Sequence, residues 1–302
     1  MSGIKYKVKN NLRVWFPFLY REIYKLSFIK VKFDSSIYKT KEDYIRYQKI
    51  PLFTSRGFSE FTLDNVKFKI LLDPSNGAVD QEIFCFGNFE KNILKIIGKN
   101  LKNDEVFLDI GANIGQHSLY ASSFANKVIA FEPIRKLALQ IEESVMENEI
   151  YNIKVINSAL GENDQDGVPI YTAGHNIGAS SIGAIKGHHM LSKINIRKLD
   201  SIFPYLEVAN IGLIKIDVEG YEYEVLHGAK GVIHDFRPKV ILEFSPHIYK
   251  MTDNDHSSDI FNFFINSNYK VYDLGDGSKM EEVKNVNQII NCGQTNLFCI
   301  PI

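Results

Sequence analysis

Val106–Gly115 reads VFLDIGANIG, and the reading of this stretch decides the fold. Val106, Phe107, Leu108 and Ile110 form a short apolar run that ends in glycine. Such a run predicts a buried parallel strand entering a tight turn. A helical pattern follows from Gln116 to Phe124. Gly111 and Gly115 are read as giving the turn the backbone freedom and close approach that a ligand needs. In open α/β sheets ligands lie beyond the carboxyl ends of the strands, where this turn falls.

The spacing bears on which ligand. A dinucleotide turn carries Gly-x-Gly-x-x-Gly, so that helix amides can hold a pyrophosphate. Here Asn113 stands where the second glycine would fall. About 20 residues further on, Lys127–Glu132 reads as a second strand ending in an acid, the position from which a carboxylate accepts both hydroxyl hydrogens of a ribose. The turn therefore has the ribose acid and a poor phosphate cradle. A nucleoside carried on a sulfonium, S-adenosylmethionine, fits it better than NAD. The plainer reading, glycines placed for packing alone, is weakened by Glu132 at the right spacing.

Strand and helix alternate outward from this centre. Helix Arg135–Asn148, strand Ile153–Asn157, strand Ile211–Asp217, the helix opened by Val218-Glu219-Gly220, strand Lys239–Ser245 and helix Asp259–Asn266 are expected, then strands Tyr269–Leu274 and Asn296–Ile300. That rhythm means a parallel sheet with helices on both faces. Upstream, Phe58–Leu63 and Val66–Leu71 flank Asp64-Asn65 as a hairpin. Val79–Ile97 reads as helical, with Gly87 as an interruption. Residues 162–198 break the rhythm. Val168–Thr172 reads as a short strand, and Ala173–His189 as an irregular wall or lid over an acceptor, since a loop this long in a compact domain usually has a function. No spaced Cys/His/carboxylate set there supports a metal site. Asp217 ends a buried strand, and a carboxylate there is costly without a partner. Glu219 also suits a helix cap.

With 302 residues and 45% hydrophobic content, the chain can fill one sizeable core. The expected division is a basic N-terminal extension, residues 1–75, and a catalytic domain, 76–302. The net charge of −1 does not point to nucleic acid. Three cysteines, with no signal-peptide pattern and no apolar run of membrane-spanning length, point to a reducing, cytoplasmic setting. Charge is uneven, however: residues 1–50 hold twelve Lys/Arg against four Asp/Glu, +8, leaving −9 for the other 252. Trp15, Phe16, Phe18 and Phe28 interleave with Arg13, Arg21, Lys25 and Lys30. Such a segment can lie on an anionic membrane or pack as a lysine-rich helix on the domain.

At VFLDIGANIGQHSLYA (106–121), VIAFEP (128–133), INSALGE (156–162), LDSI (199–202), GLIKIDVEGYEYEVLHGA (212–229) and VILEFSP (240–246), the sequence resembles the FkbM family of S-adenosylmethionine-dependent methyltransferases. The resemblance implies a Rossmann-like class I methyltransferase fold, an α/β protein with a seven-stranded, mostly parallel sheet and an antiparallel last strand. It implies that Asp109, Gly111, Asn113 and Gly115 surround the methionyl part of the cofactor, that Glu132 holds the ribose, and that Ser158, Ala159 and Leu160 lie near the adenine. Asp217 is placed beside the methyl donor, and Glu90, in GNFE, approaches the same pocket. Members of such families O-methylate sugars, polyketides and other small hydroxylated molecules, so the implied partner is a small-molecule or glycan acceptor.

Transfer from a sulfonium needs alignment above all, worth up to about 7–11 kcal/mol in well-oriented systems. A hydroxyl acceptor also gains roughly 10²–10⁴-fold from a base. Asp217, Glu219, Glu243, His175 and His247 are the candidate bases, with Asp217 and His247 expected to face the methyl group. A divalent ion held by carboxylates would do the same work, with Asp217 and Glu219 as the first ligands to test. A non-catalytic S-adenosylmethionine-binding protein and a nucleotide-dependent oxidoreductase are the competing functions. Intact Glu132 and Asp217 argue against the first, and Asn113 against the second.

The N-terminal alternatives are separable. If the segment docks on membranes, removing residues 1–50 abolishes salt-sensitive binding to anionic vesicles and leaves cofactor binding intact. If the full chain ignores vesicles, the packed-helix reading holds.

Overall fold

The computed structural model describes residues 56–172, 176–183, 187–251 and 255–302. The basic segment 1–50 and His175 lie outside the described residues. Five parallel strands form the centre: β3 (Val106–Ile110), β4 (Lys127–Phe131), β5 (Ile153–Ile156), β9 (Ile211–Ile216) and β10 (Lys239–Phe244). The sheet runs β12-β11-β13-β10-β9-β3-β4-β5. β13 (Thr295–Pro301) is antiparallel to both β10 and β11 (Tyr269–Gly275). An eighth, two-residue strand, β12 (Glu281–Glu282), extends the expected seven at one edge.

Every residue of β3 is buried. Its alternate side chains enter different layers, as strand geometry requires. Leu108 and Ile110 join the core under α6 (Glu222–Gly228) and α7 (Lys230–Phe236). Phe107 joins the layer under α2 (Lys91–Asn100) and α3 (Gln116–Ala121). Leu213 of β9 lies in that second layer, so Asp109 and Lys215, each two residues along its strand from one of these, share the same side.

The hairpin forms as expected, β1 (Gly57–Leu63) against β2 (Val66–Leu72), with Asp64 at φ 53 in the two-residue turn. Its apolar face packs with Leu119 and Tyr120 of α3 and Leu137 of α4 (Arg135–Glu147). The region read as one interrupted helix is two, α1 (Ala78–Phe86) and α2. Gly87, at φ 80, ends α1 and donates its N–H to Ile83 O.

Residues 162–198 are more regular than their sequence indicates. β7 (Gln165–Thr172) pairs antiparallel with β8 (His189–Arg197), and β6 (Ala159–Leu160) pairs with β8 in parallel. Of β8 only Ile194 and Ile196 are buried. One face of this small sheet meets water, so a short alternation is all the sequence shows. The irregular part is confined to the stretch between these strands. Its described residues are tied down by Thr172 Oγ1 donating to Asn176 O (2.8 Å), Ile177 N to Asn76 O (2.8 Å), and a bridge between Tyr171 and Ser181. Among the described residues no helix is long and apolar enough to cross a membrane.

Helix α6 runs so close to the β6 corner that a Cβ on Gly228 would stand 1.9 Å from Gly161 O. Backbone on both sides cannot yield cheaply. Gly228→Ala is expected to cost about 1–3 kcal/mol and to lower the melting temperature by roughly 2–10 °C. Gly293→Ala, with nothing within 4 Å of the added carbon, is expected to leave it nearly unchanged. Thermal unfolding of the two variants checks this.

Candidate active site

The strand ends open into a cleft with about 1090 Å³ of space not filled by atoms, part of it open to solvent. Gly111, Asn113, Glu132, Ser158, Ala159, Leu160, Asp217, Glu219 and Glu90 all line it. Asp109, Gly115 and His247 do not. Asp109 is fully buried and accepts from Ser118 Oγ at 2.6 Å. Gly115, at φ 82, starts α3 against Ile141. His247 is exposed on α8 (Pro246–Met251) and its Nδ1 meets Gly293 O.

The two glycines of the turn make close approaches to protein. A Cβ on Gly111, also at φ 82, would lie 1.8 Å from Asp217 O, and one on Gly115 would lie 2.9 Å from Ile141. Their absent side chains let β3 lie against β9 and α3 against α4.

At one end of the cleft Glu132 closes the turn after β3. Its Oε2 accepts from Asn113 N at 2.9 Å and its Oε1 from Ile134 N at 2.8 Å. Each oxygen keeps a lone pair for a further donor, and the residue is 4% exposed. Burial pushes its pKa up to about 8, against the two backbone donors, which favour the charge. Asn113 holds φ 54, a left-handed conformation that asparagine tolerates better than most residues. Phe131, Ala159, Leu160 and Ile170 provide the apolar walls beside it.

At the other end carboxylates converge. Asp217, Glu219 and Glu243 each offer an oxygen within 4.8 Å of the others. Glu219 is held at φ 53 and Gly220 at φ 95. Glu222 Oε1 accepts from Val218 N and Gly220 N, both at 3.2 Å, and so braces that turn. Burial, with Asp217 and Glu222 nearby, raises Glu219 to about 8. Burial and the charges of Asp217, Glu219 and Glu222 raise Glu243 well above the usual carboxylate range.

Beneath this cluster lies Lys215, 2% exposed. Its Nζ donates to Asp217 Oδ2 at 2.7 Å. Burial works against its charge, but Asp217, Glu90 and Asp109 together outweigh burial and raise its pKa. Glu90, at φ 47, is pushed to about 7 by burial, with Lys215 opposing and Asp217 assisting. His117 Nε2 stands 3.4 Å from Glu90 Oε2. Burial and the neighbouring lysine keep that imidazole neutral, with its pKa well below the usual value. Gln116 sets the position of Glu90 by gripping Phe89, accepting from its N at 2.8 Å and donating to its O at 2.7 Å.

Lys215 and Gln116 were not singled out from the sequence. A lysine inside the apolar run IGLIKI was the available signal, because a strand covered on both faces buries a charge only for a reason. Gln116 carried no signal, since its role is a contact with a separate segment.

These features define a doubly wound α/β protein with a polar cleft at its topological centre. The methyltransferase FkbM domain matches residues 109–271. The chain belongs to the FkbM methyltransferase family. It is 28% identical over 146 residues to the hexuronic acid methyltransferase AglP of Haloferax volcanii, covering 46% of this chain and 56% of AglP. Over 186 residues it is 28% identical to the AMB antimetabolite synthetase AmbE of Pseudomonas aeruginosa, covering 50% of this chain and 8% of AmbE. It therefore spans about half the length of the first relative and less than a tenth of the second. Among solved structures, methyltransferase FkbM from Methylobacillus flagellatus shares 20% identity, with a TM-score of 0.41, over 66% of this chain and 44% of that one. A SAM dependent methyltransferase from Aquifex aeolicus shares 12% identity, with a TM-score of 0.38, over 70% and 89%.

Replacing Glu132 tests the diol contact. Hydrogen bonds to a charged carboxylate are worth about 1.5–3 kcal/mol, so above about pH 8, where Glu132 is charged, Glu132→Ala is expected to weaken S-adenosylhomocysteine binding about 10- to 150-fold. Calorimetry showing unchanged affinity would remove Glu132 from cofactor binding. The same group links stability to pH. Its ordinary value is 4.5 and its folded value about 8, so the folded chain holds the proton more tightly. Its stabilising effect is complete below about pH 4.5 and fades as pH rises through about 8. Melting temperatures across that range should fall less steeply in Glu132→Gln.

Proposed function

We propose that the chain O-methylates a hydroxyl of a sugar or similar small acceptor, using S-adenosylmethionine. The observation that carries this is the polarity of the cleft: a carboxylate with free lone pairs and apolar walls at one end, three clustered carboxylates at the other. The first end suits a ribose diol and an adenine. The second suits a hydroxyl that must lose its proton. The name of AglP, a hexuronic acid methyltransferase, supports a sugar as acceptor.

S-adenosylmethionine supplies a methyl group on a sulfonium that needs no further activation. The protein therefore has to align, exclude water and take up a proton. Glu132 and the Asn113 turn fix the ribose end. Ser158, Ala159 and Leu160 flank the base. Asp217, with one oxygen held by Lys215, is fixed in direction beside the transferring methyl group. With the cofactor bound, a carboxylate of the Asp217–Glu219–Glu243 cluster would take up the acceptor's hydroxyl proton while the methyl carbon–sulfur bond gave way to a carbon–oxygen bond and S-adenosylhomocysteine left. Asn176, Gly178, Ala179, Ser180 and Ile182, from the stretch between β7 and β8, form a wall of the cleft, with Gly178 against Asn113. His247, exposed and bonded to Gly293, has no part in this reading.

The test is single-turnover methyl transfer to a panel of uronic acids, neutral hexoses and non-sugar alcohols. Asp217→Asn keeps volume and removes charge, so it is expected to weaken cofactor binding modestly and to slow transfer at least roughly 10²-fold. Near-wild-type transfer in that variant would exclude Asp217 from the reaction. Tight cofactor binding with no transfer to any hydroxyl compound would overturn the O-methylation reading.

A further inference from the structure

We infer that Asp217, Glu219 and Glu243 form a binding site for one divalent, oxygen-preferring cation at the acceptor end of the cleft. The three oxygens lie within 4.8 Å of one another. They come from different places: Asp217 and Glu219 from the turn after β9, Glu243 from the neighbouring strand β10. No single helix or loop made this cluster by chance of local sequence.

Convergence of acids is not enough, and Glu243 adds the second observation. It is 6% exposed and lines the cleft. Its Oε1 accepts from Gln294 Nε2, whereas its Oε2 is buried with no hydrogen-bond partner among the described residues. A buried carboxylate oxygen with no donor is costly. Among the described residues, Lys215 bonds only Asp217 of the three, through Oδ2, and leaves Glu219 and Glu243 without a bonded positive group. Glu222 braces the backbone on which Glu219 sits, so the strained turn keeps its carboxylate at the cleft.

The chemistry of the donors selects the ion. All three are hard carboxylate oxygens, and no nitrogen or sulfur donor joins them, which favours Mg²⁺, Mn²⁺ or Ca²⁺ over Zn²⁺ or Cu²⁺. Calcium–oxygen distances of about 2.3–2.6 Å place opposite ligands about 4.6–5.2 Å apart, and the smaller magnesium needs about 4.2 Å. Ligands of one ion lie no further apart than such an opposite pair, and the 4.8 Å limit of this cluster is of that size. Three ligands leave coordination positions open for water or for a hydroxyl of the acceptor. That last role, orienting the hydroxyl and lowering its pKa, rests on the function proposed above. The binding itself does not.

Manganese is the probe, because its free aqua ion gives a paramagnetic resonance signal that binding removes. Titration of the full chain is expected to show one Mn²⁺ per chain, displaced by Mg²⁺ or Ca²⁺. Glu243→Gln and Glu219→Gln are expected to weaken it at least roughly 10-fold, while Glu282→Gln, an exposed acid on the far edge strand, leaves it unchanged. S-adenosylhomocysteine binding serves as the folding control, and Glu219→Gln, on the half-buried turn, is the variant to rely on if Glu243→Gln fails it. Absence of Mn²⁺ binding, or binding indifferent to Glu219→Gln, overturns the site. No acceptor is used, so a failed acceptor screen and a failed metal titration are separate results.

Discussion

A buried lysine sets the terms for the centre of this molecule. Lys215 lies one residue from the end of β9, on the side of the sheet that carries Phe107, Leu213, Ile93 and Ile97. Removing an ammonium from water costs several kcal/mol even after relaxation, unless carboxylates surround it. Three do. Asp109 is its register partner on β3, Asp217 follows two residues later, and Glu90 arrives from the junction of α1 and α2. Asp109 in turn is steadied by Ser118 of α3. One charge thus ties together β3, β9, α3 and the segment before α2. It also brings the chain's own acids to the end of the sheet where a ligand must bind.

The cost of this arrangement is visible in the backbone. Glu90, Asn113 and Glu219 all hold positive φ, and all three line the cleft. Each such residue costs of order 1–3 kcal/mol and persists only where its surroundings over-determine it. Those surroundings are identifiable. Gln116 grips Phe89 beside Glu90, Glu132 accepts from the Asn113 amide, and Glu222 accepts from both neighbours of Glu219. In every case a buried polar side chain fixes a turn, and the turn aims a functional group into the cleft.

The pattern of buried strands was legible in the sequence, because a parallel strand covered on both faces must be apolar throughout. β3, β4, β9 and β10 read plainly for that reason. β8 did not, because a strand with one wet face alternates too weakly over nine residues. Glu132 was legible from its spacing, and Asp217 from the cost of an acid at a strand end. Glu243 was visible as an acid near the end of β10, but its meeting with Asp217 and Glu219 depends on strand order, which no local pattern encodes. His247 was drawn in by its position after β10. The first turn of α8 carries it to the surface instead, while Glu243, four residues earlier and still within β10, stays with the cleft.

The two motifs that mark the family are one structural unit. Asp109 faces Lys215 in register, Asp217 N donates to Ile110 O at 3.0 Å, and Gly111 lacks the Cβ that would strike Asp217 O. The first part of DIGANIG, Asp109 to Gly111, is therefore built against the start of KIDVEG, while Gly115 at its other end packs on Ile141 of α4. A side chain at position 111 would push β3 from β9, move Asp217 away from Lys215 and open the cleft between its two ends. The glycine usually read as room for a ligand is here room for the other motif, and the ligand site is what their close fit leaves over. The groups proposed to recognise the ligand are ones that the glycines merely place: Glu132 on one side, and the carboxylates beyond Asp217 on the other.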